Sequence, residues 1–342
     1  MTAEHGFSIA CVTEYLEKHL PGFCGPVRIE KFSQGQSNPT FRIDTSSGSI
    51  VLRQKPLGKL LKSAHAVDRE YKVLSALQDS NVPVPKVFHL CTDDTVLGSW
   101  FYVMEYVEGR VFLDPALPDL THAQRGCAYD EANRVLAAIH TVDIDATHLG
   151  DFGRPGNYYE RQVSRWTKQY RASETQRIEA MEMLMDWLPN HIPEDDGRIS
   201  LIHGDYRLGN IMFAPDTMEV VAILDWELST LGHPIADLAY LCMQRRLGRD
   251  SPIIGLANLD LEALGIPHET DFLESYCQRA SLDSVEPWSF YLACSFFRLA
   301  SICQGVLKRS MDGNASSKHA SELGAMVQPL AVFGLEAALS VS

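Results

Sequence analysis

Apolar and polar positions divide the chain into an early stretch of short strands and a later stretch of helices. From Phe7 to Leu20 the apolar residues fall at 11, 12, 15, 16 and 20, close to helical spacing, and Pro21-Gly22 ends the run, which predicts a packing helix. Val27–Phe32, Thr40–Asp44 and Gly48–Arg53 are short runs separated by Gly, Ser and Asn, as expected for strands of an antiparallel sheet. A helix is predicted from about Ala64 to Leu77, then strands at Val87–Cys91 and Trp100–Tyr106. Gly109 and the Pro115–Pro118 stretch mark a hinge, and from Thr121 onward the pattern is mainly helical, without internal repeats or low-complexity tracts.

Two segments interrupt the helical half: LIHGDYRLGN at Leu201–Asn210 and AILDWE at Ala222–Glu227. Asp205 and Asn210 stand five residues apart, the offset between base and metal-binding Asn in a protein-kinase catalytic loop, and Asp225 follows a short apolar run as the kinase metal-binding Asp does. A nucleoside triphosphate brings its own negative charge, so phosphoryl transfer requires magnesium ligands, a carboxylate beside the attacking hydroxyl, and cations. Asp225 suits chelation of the ion, Asn210 offers a neutral amide oxygen, and Asp205 suits uptake or orientation of the hydroxyl proton. Taken singly, each reads equally well as a turn former or strand end. The three in register point to phosphoryl transfer.

Length and charge narrow the field. At 342 residues the chain can bury a large core as one large domain or two lobes. A net charge of −14 argues against a nucleic-acid-binding surface. The eight cysteines, at 11, 24, 91, 127, 242, 277, 294 and 303, form no Cys-x-x-Cys pair and no zinc-type cluster with His, so they read as reduced thiols. The N-terminal stretch lacks a basic, apolar leader pattern and no run reaches eighteen consecutive apolar residues, so a cytoplasmic protein without membrane partners is expected.

The run HGDYRLGN, followed by AILDWELSTLGHPIADLAY at Ala222–Tyr240, resembles the aminoglycoside phosphotransferase-like family, which shares the protein-kinase-like fold. VLRQKP at Val51–Pro56 and MEYVEG at Met104–Gly109 support the match, which extends from about residue 25 to about residue 310. Within the family the chain looks most like the branch that occurs alone in bacteria or joined to acyl-CoA dehydrogenase domains. The resemblance implies a two-lobed α+β fold, with an antiparallel-sheet ATP-binding lobe over residues 1–107 and a mainly helical catalytic and substrate-binding lobe over 108–342. ATP and Mg2+ are then the expected cofactors, bound between the lobes.

The family plan assigns further roles. The loop SQGQSNPT at Ser33–Thr40 would lie over the phosphates through Gly35, Ser37 and Asn38, although these residue types also make a plain hairpin turn. Arg53 and Lys55 share a strand face, and register favours Arg53 as the phosphate cation, a departure from the Lys of protein kinases. Glu70 borders the apolar stripe of the predicted helix and would hold Arg53, or stand as a surface Glu. Backbone groups of Glu105 to Val107 would read the adenine edge. Asp237, among apolar residues, needs hydrogen-bond donors, which the catalytic-loop backbone or His203 would supply. Arg207 and Glu227 would either contact substrate or brace the two loops, and bracing is the favoured reading.

Candidates for the acceptor pocket are Tyr158, Tyr159, Arg161, Trp166, Trp288, Tyr291 and Arg298. The expected activity is ATP-dependent transfer of the γ-phosphate to a hydroxyl of a small molecule, with a hydroxylated acyl thioester or similar metabolite suggested by the dehydrogenase-linked branch. The alternatives are an aminoglycoside or other small-molecule kinase and a nucleotide-binding regulatory pseudokinase. A protein kinase is disfavoured because HGD stands where HRD is usual and no Ala-Pro-Glu segment follows Asp225.

Overall fold

Three consecutive runs pair as antiparallel strands, β1 (Pro26–Lys31), β2 (Thr40–Thr45) and β3 (Gly48–Gln54), and are joined by β4 (Val87–Cys91) and β5 (Phe101–Glu105) in the order β1-β2-β3-β5-β4. This computed structural model describes residues 7–32, 38–57, 66–154, 156–313 and 317–340. Strand periodicity sends Phe41, Ile43, Leu52, Phe101 and Val103 into one apolar cluster, where they meet Val12 and Leu16 of α1 (Ile9–His19). The next residue along β3, Arg53, therefore points to the opposite face. There it stands beside its cross-strand partners Thr40 on β2 and Tyr102 on β5. Over that face runs α2 (Val67–Ala76), burying Val67, Glu70, Val73 and Leu74 at helical spacing. The expected helix start near Ala64 falls outside the described residues. A single turn, α3 (Asp94–Leu97), capped by Asp93, precedes β5.

The chain divides into two compact units. The first contains residues 1–110, 145–149 and 212–229; the second contains 111–144, 150–211 and 230–342. The first boundary falls within β6 (Arg110–Val111), close to the division expected at 107/108, and the stretch bearing Asp225 is counted with the first unit. Hydrogen bonds account for this, since Ile223 N–H donates to the Pro83 carbonyl at 2.9 Å and Arg69 Nη2 donates to the Ser229 carbonyl at 3.3 Å.

The second unit is built on α4 (His122–His140), α5 (Tyr158–Ser173) and α6 (Glu179–Asn190), then β7 (Ser200–Ile202). Thr121 and Gln124 form a reciprocal capping box that starts α4. After β8 (Ile211–Phe213) and β9 (Val220–Ile223), β10 (Thr230–Gly232) pairs antiparallel with β7, Thr230 opposite Ile202 and Gly232 opposite Ser200. The remaining helices are α7 (Ile235–Cys242), α8 (Leu261–Leu264), α9 (Glu269–Ala280), α10 (Trp288–Met311), α11 (Ser317–Ala325) and α12 (Val327–Leu339). The 24-residue α10 is apolar around most of its circumference because α5, α6, α7, α11 and α12 all pack against it.

Candidate active site

In the first unit, strand register and helix spacing bring Arg53, Glu70 and Asp225 together. Arg53 Nε donates to Glu70 Oε2 at 2.6 Å and Nη2 to Glu70 Oε1 at 3.1 Å, a bidentate pair, while Nη2 also donates to Asp225 Oδ1. Glu70 is 1% exposed, so its position bordering the stripe gives way to full burial among partners. It accepts from Tyr102 Oη at 2.9 Å and Asn38 Nδ2 at 2.9 Å as well. Burial works against the Arg53 charge, yet Glu70, Tyr102 and Asp225 beside it more than offset that, and its pKa rises above the ordinary guanidinium value. Burial, reinforced by Glu70, drives the Tyr102 phenol well above its usual range, so it serves as a donor.

Asp225 follows β9 with φ +65°, a left-handed conformation unusual for a residue with a Cβ, and opens the single 3₁₀ turn Trp226–Leu228. Carboxylate oxygens of Glu70, Asp225 and Glu227 lie within 4.8 Å of one another. Asn38, expected to face nucleotide, is 1% exposed, and its amide also reaches Glu227 Oε2 at 3.5 Å. It braces the cluster, and so does Glu227. Gly35 and Ser37 lie outside the described residues.

Lys55 falls beyond the end of β3, and its ammonium stands 6.0 Å from the centroid of the Trp100 ring. Of the two candidate cations, Arg53 is the one within β3 and beside Glu70. The Glu105 N–H donates to the Lys86 carbonyl at 2.7 Å, so of the backbone groups expected to read the adenine edge, Glu105 offers its carbonyl and the donor falls to Val107.

In the second unit, β7 delivers His203, Gly204 and Asp205 in sequence. Asp237, from the first turn of α7, accepts from the His203 N–H at 2.6 Å and the Gly204 N–H at 2.8 Å, one at each carboxylate oxygen. His140 Nε2 lies 3.4 Å from Asp237 Oδ2, and its Nδ1 is 2.6 Å from the Tyr276 hydroxyl. Burial alone would raise the Asp237 pKa, but His140, His203 and the backbone donor outweigh it, and the pKa is lowered. Gly204 has φ +83°, a conformation that favours glycine between His203 and Asp205.

Asp205 is itself held. Asn210 Nδ2 donates to Asp205 Oδ2 and to the Asp205 carbonyl, both at 2.9 Å, and Arg207 Nε lies 3.4 Å from Oδ2. The turn Leu208–Asn210, closed by the Asn210 N–H on the Arg207 carbonyl at 2.8 Å, gives Asn210 this reach. The structure therefore assembles His203, Asp205, Arg207, Asn210 and Asp237 in one unit and Asn38, Arg53, Glu70, Asp225 and Glu227 in the other.

Sequence reasoning missed Tyr102, Thr40 and His140. The first two were discoverable from register alone, since they flank Arg53 across the sheet; His140 carries no local signal. Of the acceptor candidates, Tyr158, Tyr159 and Tyr291 line a pocket of about 220 Å3 together with His233 and Arg198. Trp288 is instead tied to Glu269 at 3.3 Å and Arg161 to the Arg154 carbonyl at 2.7 Å. Trp166 stacks on Arg298, whose guanidinium donates to the Gly204 carbonyl.

A family model described as the phosphotransferase enzyme family matches residues 28–273. Mouse acyl-CoA dehydrogenase family member 10 is 46% identical over 330 residues, covering 95% of this chain and 31% of that protein. Rat acyl-CoA dehydrogenase family member 11 is 43% identical over 338 residues, covering 97% of this chain and 43% of that protein. The chain thus spans less than half the length of these curated relatives. A crystal structure of a candidate aminoglycoside phosphotransferase from Ralstonia eutropha is 49% identical, with a TM-score of 0.90 over 97% of this chain and 98% of that one. Aminoglycoside phosphotransferase APH(4)-Ia, in a ternary complex with ADP and hygromycin B, shares the fold at 16% identity and a TM-score of 0.62, over 96% and 99% of the two chains. The α+β fold is that of the kinase-like phosphotransferases, and the chain belongs to the phosphotransferase enzyme family.

Proposed function

We propose that the protein is an ATP-dependent kinase that phosphorylates a hydroxyl group of a small molecule. The observation that carries this reading is the posture of Asp205: Asn210 fixes one carboxylate oxygen at 2.9 Å, on a loop whose preceding amides are locked by buried Asp237. In this reading Asp205 accepts the proton of the acceptor hydroxyl as its oxygen bonds to the γ-phosphorus and the bond from that phosphorus to the β-phosphate bridging oxygen breaks, releasing ADP. Arg53, kept cationic and oriented by Glu70, contributes positive charge to the phosphates. The Val107 N–H is the assigned adenine donor.

The carboxylates of Asp225 and Glu227, with the Glu70 oxygens beside them, are a donor set suited to a hard divalent cation. Asp225 and Asn210 are the proposed magnesium ligands. An ion held by these residues would neutralise phosphate charge. Asp205, Asn210 and Asp225 are all present, which weighs against a pseudokinase.

For the acceptor we favour a hydroxylated acyl thioester, because relatives that match nearly the whole chain carry the name of acyl-CoA dehydrogenases. An aminoglycoside is the second reading, favoured by the name of the 49% identical structure. All eight cysteines are free, in keeping with the cytoplasmic placement we assign. The test is magnesium-dependent ADP release and phosphorus NMR of the products, across hydroxyacyl thioesters, free hydroxy acids and aminoglycosides. Turnover confined to hydroxyacyl thioesters supports the full proposal. Turnover confined to aminoglycosides overturns the acceptor, and no transfer to any hydroxyl overturns the kinase reading.

A further inference from the structure

Arg298 lies on α10, far in sequence from the HGD loop, yet it meets that loop at its most constrained peptide. Its Nη2 donates to the Gly204 carbonyl, while the N–H of the same residue donates to Asp237 Oδ1 at 2.8 Å. Gly204 is thus gripped at both ends, by a cation from α10 and a buried carboxylate from α7. The peptide bond following Gly204 is the one that carries Asp205, so rotation of that carbonyl redirects the Asp205 backbone.

The guanidinium is itself confined between two rings. Its central carbon lies 5.8 Å from the Trp166 ring centroid, on α5, and 5.1 Å from the Tyr240 ring centroid, on α7. Trp166 is 8% exposed. A planar cation held between rings keeps its donor direction, which a flexible ammonium does not. Burial raises the Tyr240 phenol pKa, and the nearby Asp205 carboxylate raises it further. Three helices therefore converge through one side chain on one carbonyl.

We propose that Arg298 is a positioning residue for the proposed phosphoryl transfer, acting through the Gly204 carbonyl to fix the orientation of Asp205. It is not assigned contact with either substrate. The role rests on the kinase reading of Asp205, so its test separates the two. Hydrogen exchange of the segment 203–210 measures loop order without any acceptor, and magnesium-dependent ATP turnover, with water or the best hydroxyacyl thioester as acceptor, measures its consequence.

In Arg298→Gln, exchange of the 203–210 segment is expected to rise about tenfold or more while β1 to β5 keep their protection, and kcat is expected to fall about ten- to hundredfold, the range of one charge-assisted hydrogen bond. The KM for ATP is expected to stay within about twofold, because Arg298 does not serve the nucleotide. Arg298→Lys restores the charge without the planar stack, so it is expected to recover part of kcat and part of the protection. Unchanged exchange in Arg298→Gln overturns the positioning role, whatever the activity. Loosening throughout the second unit, with kcat and the melting temperature falling together and no rescue by Lys, assigns Arg298 to general stability and also overturns it. Increased loop exchange in a protein whose wild type shows no turnover leaves Arg298 as an anchor of the loop and instead defeats the kinase reading.

Discussion

Arg53 holds Asp225 and Glu70 at once: its Nη2 donates to Asp225 Oδ1 and to Glu70 Oε1, and its Nε to Glu70 Oε2 at 2.6 Å. The Arg53 side chain is 12% exposed and the Asp225 side chain 32%, so Asp225 is the more open member of the pair. This is the arrangement expected of a cation presented to phosphate from a buried anchor. Arg53→Ala is expected to raise the KM for ATP and lower kcat, each several-fold or more, since a charge-assisted hydrogen bond contributes about 1.5–3 kcal/mol. Glu70→Ala should show a milder defect of the same kind. Steady-state kinetics of the double variant decide the linkage: losses little greater than those of Arg53→Ala support it, and additive losses reject it. Lys55→Ala, outside the strand, should change little.

Removing the charge of Asp225 is expected to cost more nucleotide affinity than removing the amide of Asn210. Asp225→Asn leaves phosphate repulsion less neutralised and also deprives Arg53 of one anionic partner. Calorimetric titration with ATP, with and without magnesium, checks both variants. Asp225→Asn binding the magnesium complex as tightly as wild type would remove Asp225 from the metal site.

Much of this was legible because chain geometry alone carries it. Five strands of the first unit follow from short runs set between turn-forming residues and two helices from helical spacing, and the third strand, expected to end at Arg53, ends at Gln54. The Asp205, Asn210 and Asp225 trio was visible as spacing. What stayed hidden depends on long-range pairing. No local pattern reveals that the Asp225 segment hydrogen-bonds to Pro83 and Arg69 and so joins the first unit, or that His140 would meet Asp237 at a sequence separation of 97. That the Glu105 N–H is taken by the Lys86 carbonyl was hidden for the same reason, since that acceptor lies well before it in the chain.

Asp237 gives the fold a specific acid sensitivity. Its pKa is lowered in the folded state, so the unfolded chain, with an Asp near 3.9, takes up the proton first as pH falls. The stability it contributes is fully present above the unfolded value and is lost as pH falls through the lower, folded value. Asp237→Asn presents an amide where a carboxylate oxygen accepted a backbone N–H, and should cost about 1.5–3 kcal/mol at neutral pH. Denaturant unfolding from pH 7 to pH 3 checks the sign: the wild-type curve should fall more steeply below about pH 4 than that of the variant. Parallel curves would show that Asp237 does not govern this limb.

The central claim is that Asp205 serves the acceptor hydroxyl and does not hold nucleotide. Measuring ATP affinity and phosphoryl transfer side by side in Asp205→Ala tests it most directly. The expected result is a loss of transfer of about a hundredfold or more, the scale of a positioned general base, with the dissociation constant for magnesium-ATP within about threefold of wild type. Equal loss of affinity and transfer, or transfer that persists undiminished, would contradict the account.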